Sequence, residues 1–431
     1  MEDRASTAFK VIFPADAKIR IERIDGTVTD FRTTSGDVAR PRLSARRLLF
    51  VTLVGLTIGT YITLAGVSAV NTHNRVGLGG APLFYDFSVF YQAGLLADGG
   101  RAVDAYDDGK MIAAQRAAFP GSTLRLPWNY PPTFQVMLMP FGALPYIPAW
   151  LIWTCALYGF YALLARRLVH DPDKLWILLL APGAAVNLFF GQNGILSVVL
   201  MGAGVLLLRS RPVLAGVMLG MMAYKPQFAL LVPLALLFGR EWRAFAAATI
   251  SQAALIALSV TLIGMEPWLA FLHKIAQPSA IFASSSSDWR AIPSVMIFAR
   301  SLGFGAEASS FCHWTVAALA AVGALWIWHK TEDGPIRAAV LAAATVLVTP
   351  YLRAYDLVLL VLPIAVLLSR NQTNLIEKTA ILAAWLIPAI LMFSPPRIQF
   401  GPLVSLALFV VILWRIFPSP GKTSATRAVG Q

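Results

Sequence analysis

The sequence predicts an all-α, polytopic integral membrane protein, and three observations carry that prediction. Of its 431 residues, 57% are hydrophobic and only 13% charged, with a mean hydropathy of +0.67, a composition foreign to soluble domains. Apolar runs follow one another along most of the chain, and at roughly 20 residues per crossing they leave room for about a dozen spans. The basic residues gather in alternate loops, as they do when one set of loops is held on the cytoplasmic side.

Residues 1–47 hold ten Lys/Arg and seven Asp/Glu and close in RPRLSARR (40–47), directly before the first apolar run, 48–70. That basic end assigns the tail to the cytoplasm and the far end of the run to the outside. Within the tail, Asp25-Gly26 between alternating residues (RIERIDGTVTDFR, 20–32) allows either a short hairpin or a disordered stretch. A cleavable signal peptide is not expected, because no apolar stretch with a small-residue cleavage site follows a basic start.

Residues 71–131 form a mostly polar first outer loop, with short amphipathic helices expected near 88–98 and 108–118. It ends in PWNYPPTF (127–134), whose prolines stop one helix and open another. Apolar runs then fall near 132–145, 148–166, 174–190, 194–208, 212–224, 227–239, 243–264, 291–303, 310–328, 336–349, 355–370, 376–393 and 401–416. Pro140 and Pro145 break the first of these, and it and 291–303 are read as partial or re-entrant segments. This reading places RRLVHDPDK (166–174), RSR (209–211), GREWR (239–243), HKTEDGPIR (329–337) and the C-terminal tail 418–431 inside. The result is a membrane domain over 48–417 with about twelve transmembrane helices, plus re-entrant or juxtamembrane helices, and both termini cytoplasmic. A full crossing at 132–145 would instead carry the basic loops from 166 to 243 outside.

The net charge of +13 reflects those loops, and no basic helix or aromatic-basic motif points to nucleic acid. Cys155 and Cys312 both lie in apolar runs and read as core packing, not as a disulfide or metal pair.

The same arrangement collects a polar set on the outer face: FYDFSVFYQAG (84–94), GQNG (191–194), YKPQ (224–227), SSSSDWR (284–290), TPYLRAYD (349–356) and SPPRIQ (394–399). Polar and ionisable groups at membrane level are costly and mark function. Asp86 reads as a general base for a substrate hydroxyl, or as the N-cap of a helix starting at Phe87. Lys225 reads as a cation for a lipid-linked phosphate, or as a lysine reaching to headgroups. Arg353, Arg290 and Arg397 can share phosphate work, although headgroup contact suits Arg290 and Arg397 better. Asp356 is a second site acid or an N-cap near Arg353. Gln192 and Asn193 either bind sugar hydroxyls or end a helix at a glycine-flanked turn. Gln227 and Tyr351, in the same polar stretches, join them as sugar- or acceptor-binding candidates. The aromatics Phe84, Tyr85, Phe90, Tyr91, Trp128 and Tyr130 suit sugar stacking, as well as an interfacial belt.

His273 and His313 lack ligand-spaced partners, so neither a metal site nor a cofactor is expected. The Asp-x-Asp triplet DPD (171–173) matches a metal-holding pattern of nucleotide-sugar transferases, yet it falls in a short inner loop with no nucleotide-binding domain. Phosphate-binding glycine patterns are also missing from the sequence. An enzyme acting on the outer face therefore needs a donor already carried across, which points to a lipid-linked one.

The succession FYDFSVFYQAG, AYD (105–107), NYPPTF, GQNGILS, LAGVMLGMMAYKPQFALLVPLAL and TPYLRAYDLVLL resembles glycosyltransferase family 87 of the glycosyltransferase-C superfamily, over about residues 50–415. The family includes polyprenol-phosphate-mannose-dependent α-mannosyltransferases. The resemblance implies a bacterial inner-membrane enzyme with its site on the periplasmic face, a polyprenyl-phosphate sugar donor, mannose by default, and a lipid or glycan acceptor. It also implies an inverting reaction with Asp86 as base, Lys225 and Arg353 on the donor phosphate, and no metal. Three other functions share much of this pattern: a transporter or flippase of lipid-linked sugars, a glycan polymerase or ligase, and a non-catalytic assembly subunit. No clear internal repeat supports transport, and the ionisable residues sit at span ends, not at the midplane.

Overall fold

The computed structural model describes residues 18–22, 28–32, 76, 80–123, 126–276, 292–369, 373–393 and 396–416. The chain divides into two compact units, Met1–Ile58 and Gly59–Gln431. In the first, β1 (Lys18–Glu22) pairs antiparallel with β2 (Val28–Arg32), Lys18 opposite Arg32 and Glu22 opposite Val28. This is the hairpin that Asp25-Gly26 allowed. The first crossing expected at 48–70, the boundary at 47/48 and the tail 418–431 lie outside the described residues.

The described part of the second unit is helical. Its outer-loop helices are α1 (Tyr85–Asp98), a 3-10 turn at Ala102–Tyr106, and α2 (Asp108–Ala118). Then follow α3 (Pro132–Gly142), α4 (Tyr146–Leu168), α5 (Pro172–Leu179), α6 (Pro182–Phe190), α7 (Gly194–Leu207) and α8 (Pro212–Met221). After a 3-10 turn at Met222–Tyr224 come α9 (Pro226–Ala229), α10 (Val232–Phe238), α11 (Trp242–Ile263), α12 (Glu266–Ile275) and α13 (Val295–Ser301). The chain continues through α14 (Ala306–Lys330), α15 (Gly334–Val348), a 3-10 stretch at Ala354–Leu360 and α16 (Val361–Leu368). It closes with α17 (Leu375–Phe393) and α18 (Gly401–Ile416).

Two kinds of helix result. Among the described residues only α4, α11, α14 and α17, at 19 to 25 residues, are long and apolar enough to cross a membrane, or five spans if α5 and α6, bent by 41°, count as one. Six further apolar helical stretches of the described residues run 10–17 residues, about 15–26 Å at 1.5 Å per residue, short of a ~30 Å hydrocarbon core. The dozen crossings expected from composition are therefore not matched by helix length. The reason is local: Pro182 opens a new helix inside the run 174–190, and Pro212 and Pro226 open helices over runs that are themselves too short to cross. The expected partial segments do come out short, as α3 with Pro140 inside it and as seven-residue α13.

The short helices run between two polar poles. At one pole Arg337 of α15 pairs with Glu241 at 2.6 Å, donates to the Trp328 and Thr331 carbonyls, and lies over the Trp328 ring. Arg209 and Glu332 meet at the same end, and Ser369 after α16 donates to the Leu168 carbonyl. The opposite ends of these helices form the site. Close packing keeps the bundle narrow. Gly216 and Gly220, four apart on α8, face α11 so tightly that a Cβ would stand 2.2 Å from the Ala244 carbonyl and 2.7 Å from that of Ala248.

Cys155 corrects one reading. It is exposed on α4, and Cys312 is half-buried; both are free thiols, and Cys155 is not a core residue. Hydropathy cannot separate a lipid-facing position from a core one, because both are apolar.

Candidate active site

Four of the six polar stretches predicted on the outer face meet. Lys225, at the break between α8 and α9, places its Nζ 2.6 Å from Asp356 Oδ1, and both side chains are almost fully buried. The other Asp356 oxygen accepts the Arg353 backbone N–H at 3.0 Å. Asp356 is thus the third residue of its 3-10 stretch reaching back to the cap residue Arg353, and not the cap itself. Around the ammonium stand the rings of Phe228, Tyr355, Tyr224 and Tyr130, with centroids 5.1 to 6.0 Å away. Lys225 is enclosed by protein and does not extend to headgroups.

The GQNG turn is stitched in by residues the sequence reading did not single out. Asn187 of α6 donates to the Tyr355 carbonyl at 2.9 Å and accepts the Gly194 N–H at 2.7 Å. Tyr224 donates to the Asn193 carbonyl at 2.8 Å and meets the Ser197 hydroxyl at 2.6 Å. Thr349 donates to the Gln227 carbonyl at 3.3 Å. The available signal for Asn187 was a lone amide inside the apolar run AAVNLFF; Tyr224 opens the YKPQ stretch, and Ser197 lies inside the apolar run 194–208.

Asp86 lies in the first turn of α1, which begins two residues earlier than expected. The cap position is Phe84, with no side-chain capping bond, so the N-cap role is not the one Asp86 fills. The Gln192 side chain comes close enough to its carboxylate to favour the charged form, while Oδ2 is enclosed and has no partner among the described residues. Asp86 as a residue keeps part of its surface accessible, although Oδ2 itself is buried. Burial lifts its pKa from 3.8 to about 7; the Gln192 side chain and the charges of Arg353 and Lys225 pull it down, and Asp356 pushes it up. Such a group changes protonation in the physiological range, as a base does.

Asn193 is fully buried, and neither its Oδ1 nor its Nδ2 makes a well-formed hydrogen bond among the described residues. The Tyr130 hydroxyl lies beside it without good alignment, and burial raises the Tyr130 pKa. Orphaned buried amides are rare and call for a partner. Helices α1, α3 and α7, and the helical stretch beginning at Ala354, all start at this cluster, so their positive ends add to its field.

The remaining candidates separate. Tyr85 packs edge-on against Phe190, and Tyr351 lies close enough to act electrostatically on Tyr130. Tyr91 is instead a core residue: its hydroxyl donates to the Leu144 carbonyl and its ring packs on Phe87 and Tyr146. Phe90 and Trp128 are buried in the same aromatic core. Gln192 is buried beside Asp86, and Gln227 is half-buried. Arg397 is exposed, and the following Gln399 N–H donates to Ser301 of α13. Arg290 and SSSSDWR lie outside the described residues. Asp171 of the DPD triplet caps α5 through the Asp173 N–H at 2.9 Å. His313 is buried in α14, and His273 ends α12.

The profile of glycosyltransferase family 87 matches residues 128–350. The matched stretch contains Tyr130, Gln192, Asn193, Lys225 and Gln227; Asp86 precedes it, and Arg353 and Asp356 follow it. No curated protein and no solved structure matches the chain. A match over half the chain, together with apolar helices long enough to span a bilayer, makes this protein a membrane glycosyltransferase of family 87.

Proposed function

We propose that the protein moves a sugar, mannose by default, from a polyprenyl-phosphate donor to a hydroxyl of a lipid or glycan acceptor at the periplasmic face of the inner membrane. The observation that carries this is the unpartnered Asp86 oxygen, held beside an unpartnered buried Asn193 amide and within the field of Arg353 and Lys225. Asp86 takes the acceptor proton as the acceptor oxygen bonds to the sugar C1. The C1–O bond to phosphate breaks with inversion, and its electron pair leaves on the lipid phosphate. Asn193, Gln192 and Tyr130 meet sugar or acceptor hydroxyls; Tyr85, Tyr351 and Gln227 border the same cluster.

The two cations divide the phosphate work. Lys225 is already matched by Asp356 and walled by four rings, so its part is to hold Asp356, and through it the Arg353 backbone. Arg353 is the group assigned to the leaving phosphate, where a guanidinium offers two parallel donors.

The test is transfer from labelled polyprenyl-phosphate mannose in membranes, wild type against Asp86→Asn at matched protein level. Product from the wild type and loss of most of it in the variant is the expected result. Equal transfer by both removes Asp86 as base. No transfer by either rejects this donor, and other lipid-linked sugars followed by a transport assay come next.

A further inference from the structure

Two backbone features flank Asp86 and rest on the same side chain. Phe84 is one of two non-glycine residues with positive φ among the described residues, at 52° with ψ 45°, a costly conformation for a bulky side chain. Its ring stacks on Trp150 of α4 with centroids 3.4 Å apart and planes within 5°. Tyr146, one turn before Trp150, donates its hydroxyl to the Leu83 carbonyl, and the Phe87 N–H closes back on the Phe84 carbonyl at 2.8 Å. Across from this turn stands Gly191, also left-handed at φ 67°. A Cβ there would lie 2.5 Å from Phe87 Cβ and 3.1 Å from Trp150 Cδ1. The residue after Gly191 is Gln192, whose side chain acts on the Asp86 carboxylate.

We propose that Trp150 is a positioning residue for the base: its indole is the shared floor against which the Asp86 turn and the Gln192 turn are registered, and it thereby sets how closely the Gln192 amide approaches the Asp86 carboxylate. The proposal rests on the reading of Asp86 as base. A strained turn persists only where its surroundings over-determine it, and here the stack on Trp150 and the bonds from Tyr146 and Phe87 do so. The missing Cβ at Gly191 lets the second turn approach until its glycine backbone touches both Phe87 and the indole. Neither the floor nor the glycine touches the reacting atoms.

The experiment is the pH profile of kcat/KM for sugar transfer by the full-length protein in membranes. Trp150→Leu removes the floor and is expected to move the acidic limb to higher pH by the same amount as Gln192→Leu, because the carboxylate loses the same amide. The double variant Trp150→Leu/Gln192→Leu is expected to show no additional shift. Trp150→Phe keeps a ring to stack on and is expected to leave the limb where the wild type has it, which separates stacking from any role of the indole N–H. Gly191→Ala approaches from the opposite side and is expected to give the same upward shift; it serves if Trp150→Leu does not accumulate. A limb that stays in place while the rate falls, or a double variant whose shifts add, overturns the proposal. An acidic limb that survives Asp86→Asn belongs to another group; that outcome removes the base reading itself and is recognised separately from the other two.

Discussion

The long and the short helices of this protein are built from similar apolar residues and solve opposite problems. In α4, α11, α14 and α17 only 17% to 33% of the most apolar window is buried inside the protein. Phe311, Leu319 and Val322 of α14 and Ile250 of α11 lie bare on the outside. In α15 every residue from Arg337 to Val348 is buried, and α16 is buried throughout. A lipid-exposed helix must satisfy its backbone across the whole hydrocarbon depth, so it has to be long. A helix walled by other helices is free to stop early, and its end groups and end side chains then face a cavity and not lipid. The short helices end at Lys225, Thr349, Arg353 and Asn193, and those ends form the candidate site.

The sharpest test of this division is at its centre. Asp86→Asn is expected to lower transfer by roughly 10²- to 10⁴-fold, the range for loss of a general base, with protein level unchanged; transfer within a few-fold of wild type would remove the central claim. The same variant bears on stability. A carboxyl whose folded pKa is raised binds its proton more tightly when folded, so its effect is harmless below 3.8 and becomes a penalty as pH rises toward about 7. Asp86→Asn is therefore expected to melt a few degrees higher than wild type at pH 8 and at the same temperature at pH 3.5.

Next in size is the buried pair. Lys225→Met strands Asp356 and is expected to cost roughly 3–5 kcal/mol, read as loss of folded protein after detergent extraction. Adding Asp356→Asn, which keeps an acceptor for the Arg353 N–H, should recover most of it. A double variant as unstable as the single one would show that the pair is not what holds the 349–356 stretch.

Packing comes third. Gly220→Leu forces a side chain against the Ala248 carbonyl, where the backbone of α11 has little freedom to yield, and is expected to cost about 1–3 kcal/mol. The pH profile of the wild type follows: kcat/KM should fall about tenfold per pH unit below about 7, because the protonated Asp86 accepts no proton. A flat profile down to pH 5 would contradict that assignment. The smallest effect belongs to the long helices. Leu319→Ala, on the outward face of α14, should change stability by no more than about 0.5 kcal/mol, and a large loss would mean that this face packs against protein.

Particular residues show how far the sequence can be read. The family resemblance on FYDFSVFYQAG, GQNGILS and YKPQ, and the gathering of those stretches at one end, were legible from order and charge. The role of each residue was not. Asp86 looked as much like a cap as a base, and only the left-handed Phe84 moved the helix start and freed its carboxylate. Lys225 looked like a phosphate ligand until Asp356, 131 positions away, took its charge. Tyr91 matched the sugar-stacking pattern and turned out to brace Leu144.

By itself the sequence determined an integral membrane protein, its helical class, its basic and polar poles and its family, because composition, hydropathy and charge are sums over local chain. The tertiary structure decided which apolar helices are exposed and which are buried, that Asn187 and Tyr224 tie the candidate site together, and that Trp150 packs against two turns at once. Those are questions of which side chain meets which across long stretches of chain, and an apolar or polar letter reads the same whether its neighbour is lipid, ligand or protein.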